Sequence, residues 1–283
     1  MWSNFPEIAQ LAKRYDLNAL IETNSGMAGE RLGSGTGASL EFQEFRPYQY
    51  GDDLRHLDWG AYARADALMI RLHRNEIRPQ IEILIDGHIG MQTDRGQKAQ
   101  AALKLTGLLD QLCEQGSIHS QVRILQQQKP ATKEDLMRAK PEQLQSTQTM
   151  QEVFSENRME LKSCTIRILL SDFLTPLNPE ALVRSLSRDA NGFWLIQVLT
   201  QWEQSPSQLG GRRLVDQATQ THLDLKVEGE RVTRYRQRLQ KLQQDLAEKA
   251  RQYQGQFLTL IADKPLAEHC RETLTPAGFL LPR

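Results

Sequence analysis

Four short apolar segments, separated by stretches of helical character, most strongly constrain the fold of this 283-residue chain. They are QIEILID, TIRILLSD, FWLIQVLT and FLTLIAD, at residues 80–86, 165–172, 193–200 and 257–263. Apolar runs of this length are typical of strands that are buried on both faces of a parallel sheet. Because helical stretches separate them, the sequence predicts an α/β fold with a mainly parallel sheet flanked by helices.

The predicted helices have recognisable ends. One ends at Gly116, since glycine is common just past helix C-termini. Its small and apolar residues recur at helical spacing, at Ala99, Ala102, Leu105, Leu109 and Leu112. A second helix, from about residue 229 to 253, precedes Gly255 and has one apolar and one charged face. A third begins at either Thr175-Pro176 or Asn178-Pro179, because each pair joins a capping residue to a proline.

Residues 1–79 differ in character from the rest and predict a small mixed segment packed on the sheet, followed by a body at 80–283. A helix is expected within residues 6–20, where apolar residues fall on one stripe. The runs LEFQEF and ALMIRLH have the length of short strands. Between them, DLRHLDWGAYAR predicts a helical turn anchored by Trp59 and Tyr62.

The stretch from residue 29 to 76 combines glycines with alternating charges and contains no lysine. Its charged residues include Arg46, Arg55, Arg64, Arg71, Arg74, Asp52, Asp53, Asp58, Asp66 and Glu76. Arginine favours planar, bidentate pairing with carboxylates. The stretch therefore predicts an ordered ion-pair network.

Composition limits the classes of partner. Lysine plus arginine and aspartate plus glutamate both number 35, so no net charge favours nucleic acid or an anionic membrane, and we expect neither partner. Cys113, Cys164 and Cys270 are widely separated and lack zinc or redox spacing, which fits a reducing cytoplasm. No apolar run approaches the ~20 residues that span a bilayer. MWSNFPEIAQ lacks the features of a secretory signal. We expect a cytoplasmic protein without membrane insertion.

Three of the four predicted strands end in an aspartate, at Asp86, Asp172 and Asp263. Ligands of open parallel sheets gather at this edge, and carboxylates there suit Mg²⁺. The alternative is that these residues cap helices. We expect Asp263 to be an N-cap, whereas Asp172 is not needed as one.

A long, irregular motif surrounds the sequence GDDLRHLDW. It consists of Gly33, Gly37, Glu41, Phe42, Arg46, Pro47, Tyr48, Gly51, Asp52, Asp53, Arg55, Asp58, Trp59, Arg64 and Glu76. This pattern resembles the bacterial domain-of-unknown-function family 58, and the resemblance extends to the C-terminus. It implies a Rossmann-like von Willebrand factor A-type domain, preceded by the N-terminal segment of the family.

Domains of that type often carry a metal-ion-dependent adhesion site whose first strand ends in D-x-S-x-S. Here the corresponding residues are Asp86-Gly87-His88-Ile89-Gly90, so both serines are missing. Asp172 matches the later aspartate of the site by position. Histidine and glycine suit a hard cation poorly. The resemblance therefore implies a degenerate site at Asp86 and Asp172, with weak Mg²⁺ binding at most and no other cofactor.

The resemblance also implies a non-enzymatic adaptor that works with a MoxR-type AAA+ ATPase in the assembly or maturation of other proteins. Two readings of the central motif are compatible with this. Its charges pair with one another, or some of them, with Tyr48 and Trp59 as aromatic anchors, contact a partner. The alternative is a metal-dependent hydrolase using Asp52, Asp53, His56 and Asp58.

Overall fold

A computed structural model describes residues 5–18, 40–50, 57–65, 68–75, 80–126, 141, 144–155, 161–206, 210–227 and 229–283. The helices α1–α8 lie at Glu7–Ala12, Trp59–Ala65, Thr93–Gln115, Met150–Ser155, Pro179–Ser187, Gln201–Gln204, Gly229–Gln252 and Leu266–His269. The strands β1–β11 lie at Tyr15–Leu17, Leu40–Pro47, Met69–Asn75, Gln80–Ile85, His119–Ile124, Cys164–Ser171, Ala190–Leu199, Gly210–Val215, His222–Val227, Gly255–Ile261 and Leu280–Pro282. A 3₁₀-helix at Ile89–Gln92 and a π-helical turn at Cys270–Leu274 complete the elements of these ranges.

The described residues fall into two compact units. One comprises those of 28–78 and the other those of 1–27 and 79–283. In the smaller unit, β2 and β3 form an antiparallel pair with an irregularity between Phe42 and Glu44, and α2 precedes β3. Both predicted strands and the predicted helical turn are therefore confirmed.

The larger unit contains a five-stranded parallel sheet with the order β5-β4-β6-β7-β10. Numbered along the chain, this is the order 2-1-3-4-5, a common doubly wound arrangement. The predicted α/β class and all four predicted strands are confirmed. The sequence did not predict β5, an edge strand whose residues HSQVRI are largely polar and less buried than those of β4.

Successive residues of the central strands point to opposite faces of the sheet and enter two separate cores. Ile83 of β4 and Ile168 of β6 contribute to a core that also contains residues of α1 and α3. Leu84 and Leu169, the next residues, contribute to a second core with residues of α4, α5 and α7. Each face of the sheet is thus covered by helices, which explains the almost unbroken apolar runs.

The N-terminal region contains the helix expected within residues 6–20, followed by a strand. The helix α1 ends at Ala12, and β1 at Tyr15–Leu17 pairs antiparallel with β11 near the end of the chain. The Arg283 guanidinium donates to Asp16 Oδ1 at 2.6 Å, which supports this pairing. The strand β1 was not predicted, because a partner 267 residues away is invisible to local periodicity.

Two further features follow from local sequence. Asn178 caps α5, accepting from Glu180 N and Ala181 N, so the second of the two expected starts is correct. The long helix α7 confirms the prediction for residues 229–253. The antiparallel hairpin β8–β9 was not predicted.

In the parts of the chain described above, no helix combines the length and the apolar character needed to cross a membrane.

Candidate functional site

Two buried aspartates follow neighbouring strands at the point where the winding of the sheet reverses. From β4 the chain goes to one edge at β5, whereas from β6 it proceeds toward the other edge at β10. Asp86 directly follows β4, Asp172 directly follows β6, and both are buried. Ligands of doubly wound sheets bind in the crevice at this reversal. This part of the carboxyl edge is therefore the candidate site.

Asp86 is held by donors on three sides. Its Oδ1 accepts from the backbone N–H of His88 at 2.9 Å and from Gln126 Nε2 at 3.1 Å. Its Oδ2 accepts from Ser171 Oγ at 2.6 Å. Burial, and then the negative charge of Asp172, raise the pKa of Asp86. Asp86 thus acts as an internal acceptor that ties together the loops following β4, β5 and β6.

Lys98 places its ammonium group between two carboxylates. Nζ lies 2.7 Å from Asp172 Oδ2 and 2.6 Å from Glu203 Oε1, and the side chain is 1% exposed. Burial by itself lowers the pKa of Lys98, but the charges of Asp172 and Glu203 outweigh it, so the pKa is raised overall. The ammonium is therefore a permanent cation at the candidate site. We call Lys98, Asp172 and Glu203 the Lys98 cluster.

Glu203 is positioned by the first turn of α6. Its Oε2 accepts from the backbone N–H of Thr200 at 2.8 Å, and Thr200 Oγ1 accepts from Glu203 N at 3.2 Å, which forms a capping box. The Tyr235 hydroxyl of α7 donates to the Glu203 carbonyl oxygen at 2.7 Å. Burial, followed by the charges of Glu203 and Asp172, raises the pKa of Tyr235 to about 12. Oε2 of Glu203 thus takes part in the capping box, whereas Oε1 binds Lys98.

An unusual turn leads into the helix that carries Lys98. Asp94, Arg95 and Gly96 have φ values of 54°, 60° and 77°, so three successive residues are left-handed. A Cβ on Gly96 would lie 3.1 Å from the Cβ of Pro141, so the close approach of this segment favours glycine. Left-handed backbone is costly for residues other than glycine, so surrounding packing must hold Asp94 and Arg95 in place. The turn thus lies within the first residues of α3, and the regular helix that carries Lys98 follows it.

The residues of the site do not fit a hard divalent cation. His88 Nδ1 accepts from Gly90 N at 2.9 Å and is engaged in its own turn. Asp86 is engaged by Ser171, His88 and Gln126, and Asp172 Oδ2 holds Lys98. Within the described ranges, no group of three or more His, Cys, Asp or Glu side chains is arranged to hold a metal ion. Mg²⁺ requires near-octahedral oxygen coordination, which these side chains do not offer while Lys98 is bonded to Asp172.

Comparison with known proteins gives the family of the chain. A sequence model described as "Protein of unknown function DUF58" matches residues 44–248, which is more than half of the 283 residues. The chain belongs to the DUF58 family. No curated protein matches this DUF58 chain.

Two solved structures are similar to the DUF58 chain at 11% identity each. The conserved hypothetical protein BatB from Bacteroides thetaiotaomicron has a TM-score of 0.36, with 71% of this chain and 98% of that chain covered. An aerotolerance-related membrane protein from Bacteroides fragilis NCTC 9343, with multiple mutations to serines, has a TM-score of 0.33, with 64% and 91% covered. At these TM-scores the similarity carries no further argument.

The structure describes only part of the DUF58 motif. Gly51, Asp52, Asp53, Arg55, His56 and Glu76 lie outside the described residues, as do the Arg46 side chain and any ion-pair network that they form. Arg46 itself is a residue of β2 that pairs in register with Ile70. Arg64 lies in the last turn of α2 and is exposed. The predicted network and the hydrolase cluster therefore remain predictions.

Among the described motif residues, Asp58 has a clear local role. It is buried, and its Oδ1 accepts from Ala61 N at 2.8 Å, three residues later, as an N-cap of α2 does. Its backbone N–H donates to Met69 O at 2.8 Å, which connects the start of α2 to β3. Asp58 thus fixes the local backbone of the smaller unit.

The aromatic residues of the motif differ from one another in exposure. Trp59 is 67% exposed and contacts Tyr62 edge-to-face, with ring centroids 6.4 Å apart. We expected these two rings to anchor the helical turn; both are exposed, and their contact with one another lies within α2. Tyr48 is half-buried, and its backbone N–H donates to Leu68 O at 2.9 Å. An interface role for Tyr48 and Trp59 stays a prediction.

Asp263 has a different role from the one expected. The short helix that follows it begins at Leu266 with Pro265 at the N-cap position and no side-chain cap. Asp263 Oδ2 instead accepts from the backbone N–H of Gln201, the first residue of α6. The prediction was wrong because the helix N-terminus that Asp263 serves follows a neighbouring strand.

Sequence reasoning missed Lys98 and Glu203, although both had a recognisable signal. Lys98 lies four residues before Ala102 on the predicted apolar face of α3, so a lysine there occupies a core position. Thr200 and Glu203 have the spacing of a capping box directly after a strand. What no pattern indicated is that the two side chains meet. That contact depends on the order of strands in the sheet.

Exposed apolar side chains adjoin the Lys98 cluster in sequence. Leu174, two residues after Asp172, is 39% exposed, and its backbone N–H donates to Asp172 Oδ1 at 2.9 Å. Trp202, one residue before Glu203, is 38% exposed. The carboxyl edge therefore combines internally paired charges with apolar groups that face solvent.

Proposed function

We propose that this DUF58 protein is a non-enzymatic adaptor of the von Willebrand A type, with a degenerate metal-ion-dependent adhesion site, that binds a partner protein at the carboxyl edge of its sheet. One observation carries the proposal. The exposed Leu174 and Trp202 lie beside carboxylates that are bonded to other groups of the same chain. Apolar and aromatic groups of this kind are what protein interfaces use as anchors.

The chemistry of the edge favours binding over catalysis. A general base or a metal site needs a polar group that remains available to a substrate. Asp86 accepts three hydrogen bonds, and Asp172 and Glu203 hold Lys98. These contacts hold in place the loop that carries Leu174 and the helix that carries Trp202, which lowers the ordering cost of binding a partner.

We propose a MoxR-type AAA+ ATPase as the partner, on the strength of the family resemblance in the GDDLRHLDW motif. Such a pair would act in the assembly or maturation of other proteins. In the smaller unit, the exposed Trp59 is proposed to add a second contact.

The test uses the purified chain and the MoxR-type ATPase encoded in the same genome. Binding is measured by biolayer interferometry with ATP, with ADP and without nucleotide. We expect nucleotide-dependent binding that Trp202→Ala weakens by about 10–100-fold, the usual loss for an aromatic anchor. Leu174→Ser should weaken it less, because its side chain offers a smaller contact area.

Leu281→Ser is the matched control. Leu281 has a similar exposure of 37%, but it lies in β11, two residues before Arg283. Arg283 contacts Gln115, which lies at the opposite end of α3 from Lys98. The control should bind as tightly as the unchanged protein. Equal affinities for all three variants, at unchanged melting temperatures, would disprove the role of the carboxyl edge.

A further inference from the structure

A lysine ammonium lies between two carboxylates at the carboxyl edge of the sheet. Nζ of Lys98 bridges Asp172 Oδ2 and Glu203 Oε1, at 2.7 and 2.6 Å. Lys98 lies on the crossover helix after β4, Asp172 follows β6, and Glu203 follows β7. Segments that follow three neighbouring strands of the sheet, β4, β6 and β7, thus meet at one buried positive charge.

The neighbouring residues are consistent with a cation that the protein itself supplies. Position 90 lies next to Asp172, because a Cβ built on Gly90 would be 3.4 Å from Asp172 Oδ2. The same Cβ would be only 2.9 Å from His88 Nδ1, so a serine at 90 cannot coexist with the present imidazole position. His88 and Gly90 therefore fit one another and leave no pair of hydroxyl ligands.

The balance of charge in the Lys98 cluster also favours a cation that the protein itself supplies. The Lys98 cluster contains one ammonium and two carboxylates, and buried carboxylates require a compensating cation. The raised pKa of Lys98 keeps that cation in place across the physiological range. A divalent ion would have to displace an ammonium that is already bonded to both carboxylates.

We propose that Lys98 is a built-in replacement for the divalent cation of a von Willebrand A-type site, so that folding and binding at this edge need no metal. The comparison with a metal site rests on the domain type proposed above. Removing the ammonium then leaves a latent divalent site on Asp172 and Glu203.

The first experiment measures the unchanged protein. Thermal unfolding is followed in EDTA, in Mg²⁺ and in Mn²⁺ at about 5 mM, above the ~10⁻³ M dissociation constants of weak protein cation sites. We expect the same melting temperature in all three solutions. Stabilisation by Mn²⁺ that disappears in Asp172→Asn would overturn the proposal, whether or not any partner binds.

The second experiment removes the ammonium. Lys98→Ala should melt at a lower temperature in EDTA, and Mn²⁺ should raise its melting temperature by about 2–4 °C, as expected for saturable binding to a domain of this size. Lys98→Ala/Asp172→Asn should show no such rise.

Lys104→Ala is the matched control, since Lys104 lies on the same helix but is partly exposed and pairs with Glu7 at 2.9 Å. It should not respond to Mn²⁺. A folded Lys98→Ala protein with equal melting temperatures in EDTA and Mn²⁺ would disprove the latent site. If Lys98→Ala does not fold, Mn²⁺ titration of the unchanged protein by calorimetry decides, and binding that requires Asp172 contradicts the proposal.

Discussion

The ammonium nitrogen of Lys98 lies 2.6 Å from Oε1 of Glu203, a residue 105 positions later in the chain. Glu203 also caps the first turn of α6. The contact with Lys98 therefore fixes the start of α6 to α3. Buried ion pairs cost desolvation energy, so their effect on stability depends on whether every charge keeps a partner. Removal of one charged partner from the Lys98 cluster should therefore lower the free energy of unfolding by a measurable amount.

Lys98→Met should lower the free energy of unfolding by about 3–5 kcal/mol, because two carboxylates then remain buried without a cation. The double variant Lys98→Met/Glu203→Gln should lose less than the sum of its single variants, since one of those charges is also gone. Urea unfolding of the three variants measures the coupling. Strictly additive losses would mean that the two side chains do not interact.

A second buried ion pair lies on the other face of the sheet. Arg167 is 0% exposed, and its Nε donates to Glu82 Oε2 at 2.7 Å. Its other nitrogens donate to the carbonyl oxygens of Leu186, Arg188 and Lys162. The guanidinium thus satisfies the C-terminal end of α5 and neighbouring backbone as well as a carboxylate.

Arg167→Leu should lower the free energy of unfolding by about 3–5 kcal/mol, because several carbonyl oxygens lose their donor inside the protein and Glu82 keeps only the ion pair with Arg123 at 3.2 Å. Arg184→Ala is the control, since Arg184 pairs with Glu180 on the surface of α5 and its side chain is 70% exposed. An exposed pair of this kind contributes less than about 1 kcal/mol. Similar losses for both variants in guanidinium unfolding would contradict this assignment.

Gly255 begins β10 where another strand leaves no room for a side chain. A Cβ at this position would lie 2.3 Å from the ring of Phe193, which is 1% exposed. Gly255→Ala should therefore destabilise the protein by about 1–3 kcal/mol through overpacking. Gly211→Ala, on the exposed hairpin with no atom within 4 Å of its new Cβ, should cause no loss of that size. Differential scanning calorimetry of the two variants compares them directly.

Local sequence predicted the elements of the sheet better than the contacts between them. The four apolar strands were evident because each depends on neighbouring residues, and for the same reason Asn178 was one of the two expected helix starts. The edge strand β5 was missed because only part of it is buried, and its polar residues carry no strand signal. The pairing of β1 with β11 was also missed, since its partners lie at opposite ends of the chain.

The candidate site shows the same limit. Asp86 and Asp172 were found because parallel strands end at a common edge. Lys98 and Glu203 decide the charge of that edge, but their meeting depends on the order 2-1-3-4-5, which is set by the whole fold. Sequence therefore indicated the place of the site, whereas its chemistry required the three-dimensional arrangement.

His269 gives the larger unit a pH-dependent contribution to stability. Its Nε2 lies 2.8 Å from Ile261 O, and because a carbonyl oxygen only accepts, this nitrogen carries the proton of the neutral ring. Nδ1 is buried and meets no hydrogen-bond partner in the described part of the chain. Burial lowers the pKa of His269 despite the bond to Ile261. The folded protein therefore binds a proton at His269 less readily than the unfolded chain does.

Because the folded-state pKa is depressed, the stability from neutral His269 is complete above the unfolded value of about 6.5 and is lost as the pH falls below it. When the pH falls from about 7.5 to 5.5, the unchanged protein should therefore lose up to ~1 kcal/mol more free energy of unfolding than His269→Gln does. Urea unfolding at the two pH values gives both losses. His119→Gln, at an exposed position in β5, should behave as the unchanged protein does. An identical pH response in His269→Gln would show that another group causes the loss.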